Sequence, residues 1–91
     1  MWVLTLHPPE GERQEYTLKP GKNLLGRKSD NDIIIADISA SRQHAEIEYD
    51  PATNHLTITD LGSTNGTFVN RERLEAPTRL HNNDVIRIGG G

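Results

Sequence analysis

Apolar residues along this chain alternate with polar ones over short runs and never settle into a helical spacing. In Ala45-Glu46-Ile47-Glu48-Tyr49 and Leu56-Thr57-Ile58-Thr59 every second residue faces a different solvent need. That is the pattern of a strand with one side in a core and the other in water. Nowhere do apolar residues recur at i, i+3, i+4 and i+7 over the roughly ten residues that a helix requires. Strands are predicted at 2–6, 14–18, 23–26, 33–35, 44–49, 55–60, 67–69 and 85–88, with a short one near Arg73-Leu74. Gly, Pro, Asn and Asp separate them, so the expected fold is an all-β sandwich or barrel.

The two alternating runs are expected to pair as a hairpin, because Asp50-Pro51-Ala52-Thr53-Asn54 between them has the chemistry of a hairpin loop. The pairing sets Ser41-Arg42-Gln43, which enters the first strand, beside Gly62-Ser63-Thr64-Asn65-Gly66, which leaves the second. A third segment, Gly26-Arg27-Lys28-Ser29-Asp30, precedes the strand at 33–35. The connection from Ala36 to Gln43 spans up to roughly 28 Å, enough to return the chain to the end it left. All three loops can then share one rim.

Length and charge narrow the partners. A chain of 91 residues supports one domain over 1–91 and no second core. Ten Lys and Arg against thirteen Asp and Glu leave a net charge of −3, the wrong sign for coating nucleic acid or an acidic membrane. With no cysteine there is no disulfide, thiolate nucleophile or cysteine zinc site. Ile33-Ile34-Ile35-Ala36 is far too short to span a bilayer, and Met1-Trp2-Val3-Leu4 lacks the form of a signal peptide. A soluble cytoplasmic protein is expected, with no metal and no cofactor. Gly89-Gly90-Gly91 reads as a loose tail or a turn toward a missing strand.

Each loop has a bland reading beside a chemical one. Arg27 offers a planar fork for phosphate or carboxylate, and Gly26 lets backbone come close, yet an arginine after a turn glycine is most often a solvated charge. Ser41 can cap its own turn, and His44 at a strand entrance is more often a hydrogen-bonding strut than a catalyst. Ser63, Thr64 and Asn65 suit an anion, but Asn65-Gly66 at positive φ also makes an ordinary turn.

Taken together, Gly26-Arg27, Ser41-Arg42-Gln43-His44 and Ser63-Thr64-Asn65-Gly66-Thr67, followed by Asp84-Val85-Ile86-Arg87-Ile88-Gly89, resemble the signature of the forkhead-associated (FHA) domain family. The resemblance implies an antiparallel β-sandwich of about ten to eleven short strands, its last one missing here. It also implies a non-catalytic signalling module that binds phosphothreonine peptides through loops at one end, within a larger protein or kinase signalling system. Arg27 would grip the phosphate and Ser41 donate its hydroxyl to it. Arg42 would meet a second phosphate or the peptide, Thr64 the phosphate or the threonine methyl, and Asn65 the peptide backbone. Gly26, His44 and Gly66 would shape the loops without touching ligand. Three departures from the family pattern stand out: Arg71 and Asn83 where glycine is common, and the absent last strand, which would expose 2–6 as an edge.

Other classes fit less well. A phosphate-independent FHA-like assembly module is the main alternative. An enzyme would need Ser41 or Ser63, His44 and Asp60 as a triad, but no nucleophile elbow or Walker loop is present, and His7, His44, His55 and His81 are scattered. A single-strand nucleic-acid barrel would need a basic groove and stacking aromatics, and Tyr49 and Phe68 are expected in core positions.

Overall fold

A computed structural model describes residues 2–7 and 12–88 of the chain. The strands are β1 (Val3–Leu6), β2 (Gln14–Thr17), β3 (Gly21–Gly26), β4 (Ile33–Ile34), β5 (Ala45–Asp50), β6 (His55–Asp60), β7 (Thr67–Val69), β8 (Glu72–Arg73), β9 (Thr78–Leu80) and β10 (Ile86–Ile88). They form a five-stranded sheet in the order β4-β3-β5-β6-β9, a three-stranded sheet β10-β7-β8 and a ribbon β1-β2. Among the described residues there is no helix, and so none long and apolar enough to cross a membrane.

The alternation sets the inner face. Ile47 and Ile58 are cross-strand partners, and both are fully buried, each contributing about 1.5–3 kcal/mol. Leu25, Ile33, Leu56, Val69 and Leu80 join them in one cluster, against which Leu4, Tyr16 and Ile86 of the other sheets and Leu74 just after β8 pack. Glu46, Glu48, Thr57 and Thr59 take the intervening, outward positions. Among the buried polar residues, Asn23, opposite Ile47, donates to the carbonyls of Lys19 and Ile47 and accepts from the Lys19 N–H. Satisfied in this way, it joins the turn before β3 to the sheet.

Several expectations shift. The predicted hairpin forms, but Asp50 pairs with His55, shortening its loop to 51–54. The strand at Thr78–Leu80 was invisible to the pattern, since only Leu80 among its residues is apolar. It pairs with β6, Leu56 opposite Leu80, and caps the sheet. Among the described strands pairing is antiparallel except at β4, which runs parallel to β3. With a β4 of only two residues, the chain need not return from the far end. Loops 27–32 and 35–44 both begin and end on the side where β3 finishes. Arg71 and Asn83 occupy positive φ, at 74° and 71°, so the departures from glycine keep the turn and carry its strain. Among the described residues β1 pairs with β2 alone. The expectations for Gly89, Gly90 and Gly91 and for a missing last strand lie outside the described residues.

Candidate functional site

Loop 27–32 is laced to the segment that enters β5. The Arg27 N–H donates to the Ser41 carbonyl at 3.0 Å, and the Lys28 N–H to that of Arg42 at 3.2 Å. At Gly26 a Cβ would stand 2.1 Å from the Arg42 carbonyl oxygen, so only glycine lets the two backbones approach this closely. Asn31, buried beside them, donates to the carbonyls of Lys28 (2.8 Å) and Arg42 (2.7 Å). Arg27 gives its Nε hydrogen to the Ala40 carbonyl at 3.1 Å. Its terminal Nη groups have no carboxylate partner among the described residues, and the side chain is exposed.

His44 joins the second loop to the third. Its ring is fully buried. Nδ1 accepts the Ser41 N–H at 3.0 Å, so the ring proton sits on Nε2 and is donated to the Gly66 carbonyl at 2.8 Å. Two further links span the same gap. Ser41 Oγ accepts the Thr64 N–H at 3.1 Å, and Asn65 donates its amide to the Ser39 carbonyl at 2.7 Å.

Asp60 shapes the third loop from beneath. Its Oδ1 accepts the hydroxyls of Ser63 and Thr67, both at 2.6 Å, and Oδ2 accepts the N–H groups of Gly62 and Ser63. Burial works to raise the pKa of this carboxyl, but the hydroxyls and the Ser63 N–H outweigh it and hold it below the ordinary range. Gly62 and Gly66 take positive φ, whereas Asn65 does not, so the expected Asn65-Gly66 turn is carried by the glycines alone. Ser63 Oγ, bound to Asp60 and to the Gly66 N–H, faces the loop interior rather than a ligand.

The structure therefore brings Ser41, Thr64 and Asn65 into direct linkage, ties Arg27 to the residue before Ser41, and leaves Arg42 exposed beside the first loop. Gly26, His44 and Gly66 lie beneath, all buried. The triad does not assemble: neither serine hydroxyl bonds to His44, whose nitrogens are both taken by backbone, and Asp60 Oδ1 lies 4.0 Å from Nε2. Among the described residues no group of three or more His, Asp or Glu is placed to hold a metal. Two hollows, one beneath β1 and one beside β8, are lined by none of Arg27, Ser41, Arg42, Thr64 and Asn65. Sequence reasoning missed Asp60 as the organiser of the third loop, although an Asp three residues before a Ser is a signal for such a turn. It also missed Asn31, for which no signal existed.

The family model described as the FHA domain matches residues 23–89. The glycogen accumulation regulator GarA of Mycobacterium tuberculosis is 42% identical over 87 residues, which cover 96% of this chain and 51% of that protein. The FHA domain-containing protein FhaA of the same organism is 38% identical over 86 residues, or 94% of this chain and 16% of that one. The chain thus spans about half of GarA and a small part of FhaA. The FhaA FHA domain, crystallised in complex with the intracellular domain of Rv3910, superposes with a TM-score of 0.83 at 34% identity, covering 96% of this chain and 89% of that one. A structure solved in a study of phosphothreonine-dependent FHA domain interactions gives the same TM-score and identity, covering 96% and 84%.

Proposed function

The chain belongs to the FHA domain family, and from that premise we propose that its three-loop rim receives phosphothreonine peptides. A phosphothreonine carries about −1.5 to −2 charges at pH 7 and three strong acceptor oxygens, so it needs converging donors rather than a basic surface. One observation carries the reading: Ser41 Oγ accepts the Thr64 N–H at 3.1 Å. With a lone pair so engaged, the hydroxyl hydrogen is free to be donated to a phosphate. The Arg27 guanidinium, anchored through Nε to the residue before Ser41, presents its remaining N–H groups as a fork for two phosphate oxygens.

The supporting roles follow from exposure. Thr64 lies against the phosphate and the threonine methyl, a group worth about 1–3 kcal/mol in discrimination. Asn65, its amide already steadied by Ser39, holds the peptide backbone, and Arg42 meets a further part of the ligand. The net charge of −3 disfavours indiscriminate anions, so geometry selects. The activity is binding rather than catalysis, since among the described residues neither the Ser41 nor the Ser63 hydroxyl is paired with His44. The domain acts as one recognition module of a longer signalling protein whose ligand requires a kinase, and a cytoplasmic setting fits that requirement.

The test is a calorimetric titration of one peptide in phosphorylated and unphosphorylated forms. Wild type binds only the first. Arg27→Ala loses about 2–4 kcal/mol of binding with folding unchanged. A folded variant within twofold of wild type would refute the assignment.

A further inference from the structure

The basic side chains divide by type. All three lysines are ion-paired: Lys19 with Asp32 at 2.6 Å, Lys22 with Glu46 at 4.0 Å and Lys28 with Asp30 at 3.6 Å. Among the described residues no arginine has a carboxylate partner, although acids outnumber bases in the chain. Unpaired guanidiniums are the groups best suited to gripping oxyanions, through two parallel hydrogen bonds.

Two of them stand in one row. Arg87 on β10 and Arg73 on β8 are both cross-strand partners of Phe68 on β7. Thr67 and Val69 on either side of Phe68 are buried, so the row Arg87-Phe68-Arg73 lies on the outward face of the three-stranded sheet, and Phe68 is not in the core position expected of it. The Arg87 guanidinium covers the Phe68 ring, 4.2 Å from its centre. Arg73 lies over the third loop: a Cβ added to Gly66 would meet its Nε, Cζ and Nη2 at 3.0, 3.1 and 3.3 Å. The charge thus rests on the backbone one residue from Asn65 and two from Thr64. Glycine at 66 serves both its φ of 88° and the space that this guanidinium fills.

We infer that Arg73 is a specificity-determining residue that receives a second anionic side chain of the bound phosphopeptide. The inference rests on the phosphothreonine reading of the rim. Charge complementarity and continuity with that rim both identify the occupant as a flank of the same peptide. Thr64 and Gly66 are separated by at most about 7 Å of chain, and an extended peptide advances roughly 3.3 Å per residue. An acidic side chain some two to four positions from the phosphothreonine therefore reaches the Arg73 fork.

The experiment is an acidic scan. A phosphothreonine peptide with neutral flanks is compared with versions bearing one Asp at each of the nearby positions on either side, against wild type, Arg73→Gln and Arg73→Lys. Arg73 is exposed, and thermal unfolding verifies that the variants fold. The expected result is a position where Asp tightens wild-type binding about fivefold, a gain absent in Arg73→Gln and reduced in Arg73→Lys, while the neutral peptide binds all three alike. Phosphoserine at that position separates a second phosphate from a carboxylate: a larger gain than with Asp assigns Arg73 to phosphate, an equal one to either anion. A gain that survives in Arg73→Gln, or no gain at any position, overturns the inference while leaving the rim's function intact. Failure of wild type to bind even the neutral phosphopeptide overturns both.

Discussion

The two ends of the sandwich reverse the chain with different residues. At the loop rim, positive φ is confined to Gly62 and Gly66; at the opposite end Asn54, Asn70, Arg71 and Asn83 adopt it, besides Gly21. The links between turns differ as well. The rim is tied through His44 and Asn31, both buried, and through Asp60. The far end is tied mostly through exposed groups, Trp2 to Asn54 and Asn70 to Asp84, with buried Asn23 at the turn before β3 as the exception. A buried hydrogen bond is costly to lose because its partner is left without water. The rim is therefore held in one shape before any ligand arrives, and the far end tolerates strain because little depends on its geometry.

The sharpest break in that contrast would come from Gly26→Ala. Its methyl group would overlap the Arg42 carbonyl, so a loss of about 3 kcal/mol or more in urea denaturation is expected, together with loss of phosphopeptide binding. A variant within 1 kcal/mol of wild type would put the ends on a par. Next is Asp60→Asn, which sets an amide where the carboxylate accepts hydroxyls and N–H groups; about 1.5–3 kcal/mol is expected.

The same carboxylate makes the rim sensitive to acid. Its pKa is lower in the folded chain than the ordinary 3.8, so its contribution is complete above that value and fades as pH falls through the lower folded value. Asp32, Asp37 and Asp84 shift in the same direction. Thermal midpoints measured from pH 6 to 2 should therefore fall mainly below about pH 4, and less steeply in Asp60→Asn. The smallest effect belongs to the far end. Arg71→Gly relieves a left-handed backbone that costs about 1–2 kcal/mol but loosens the unfolded chain, leaving a net gain below about 1 kcal/mol. Phosphopeptide affinity should not change.

Much of the fold was legible in residues that alternate. The runs at 45–49 and 56–59 have one face each to bury, and their pairing put the loops at 41–43 and 62–66 side by side. Arg71 and Asn83 were legible as oddities, because few side chains tolerate the turn they stand in. Local pattern had no purchase on β9, where one apolar residue among three decides the pairing, or on the direction of β4. Nor did it reveal Asn31 and Arg73, whose places depend on which backbone happens to pass beside them. Register between distant strands brings Arg73 onto Gly66, and no spacing along the chain encodes that meeting.

The pairing of β5 with β6 also governs when the rim can exist. Ser41 and Thr64 are 23 positions apart in the chain, yet once Ala45 pairs with Asp60 only short ends remain to be closed, and most of the loop-closure entropy has already been spent. Recognition and folding are thereby one transition: fragments lacking either strand have nothing partial to offer a ligand. A bound phosphopeptide should accordingly raise the melting temperature in proportion to the logarithm of its excess over Kd.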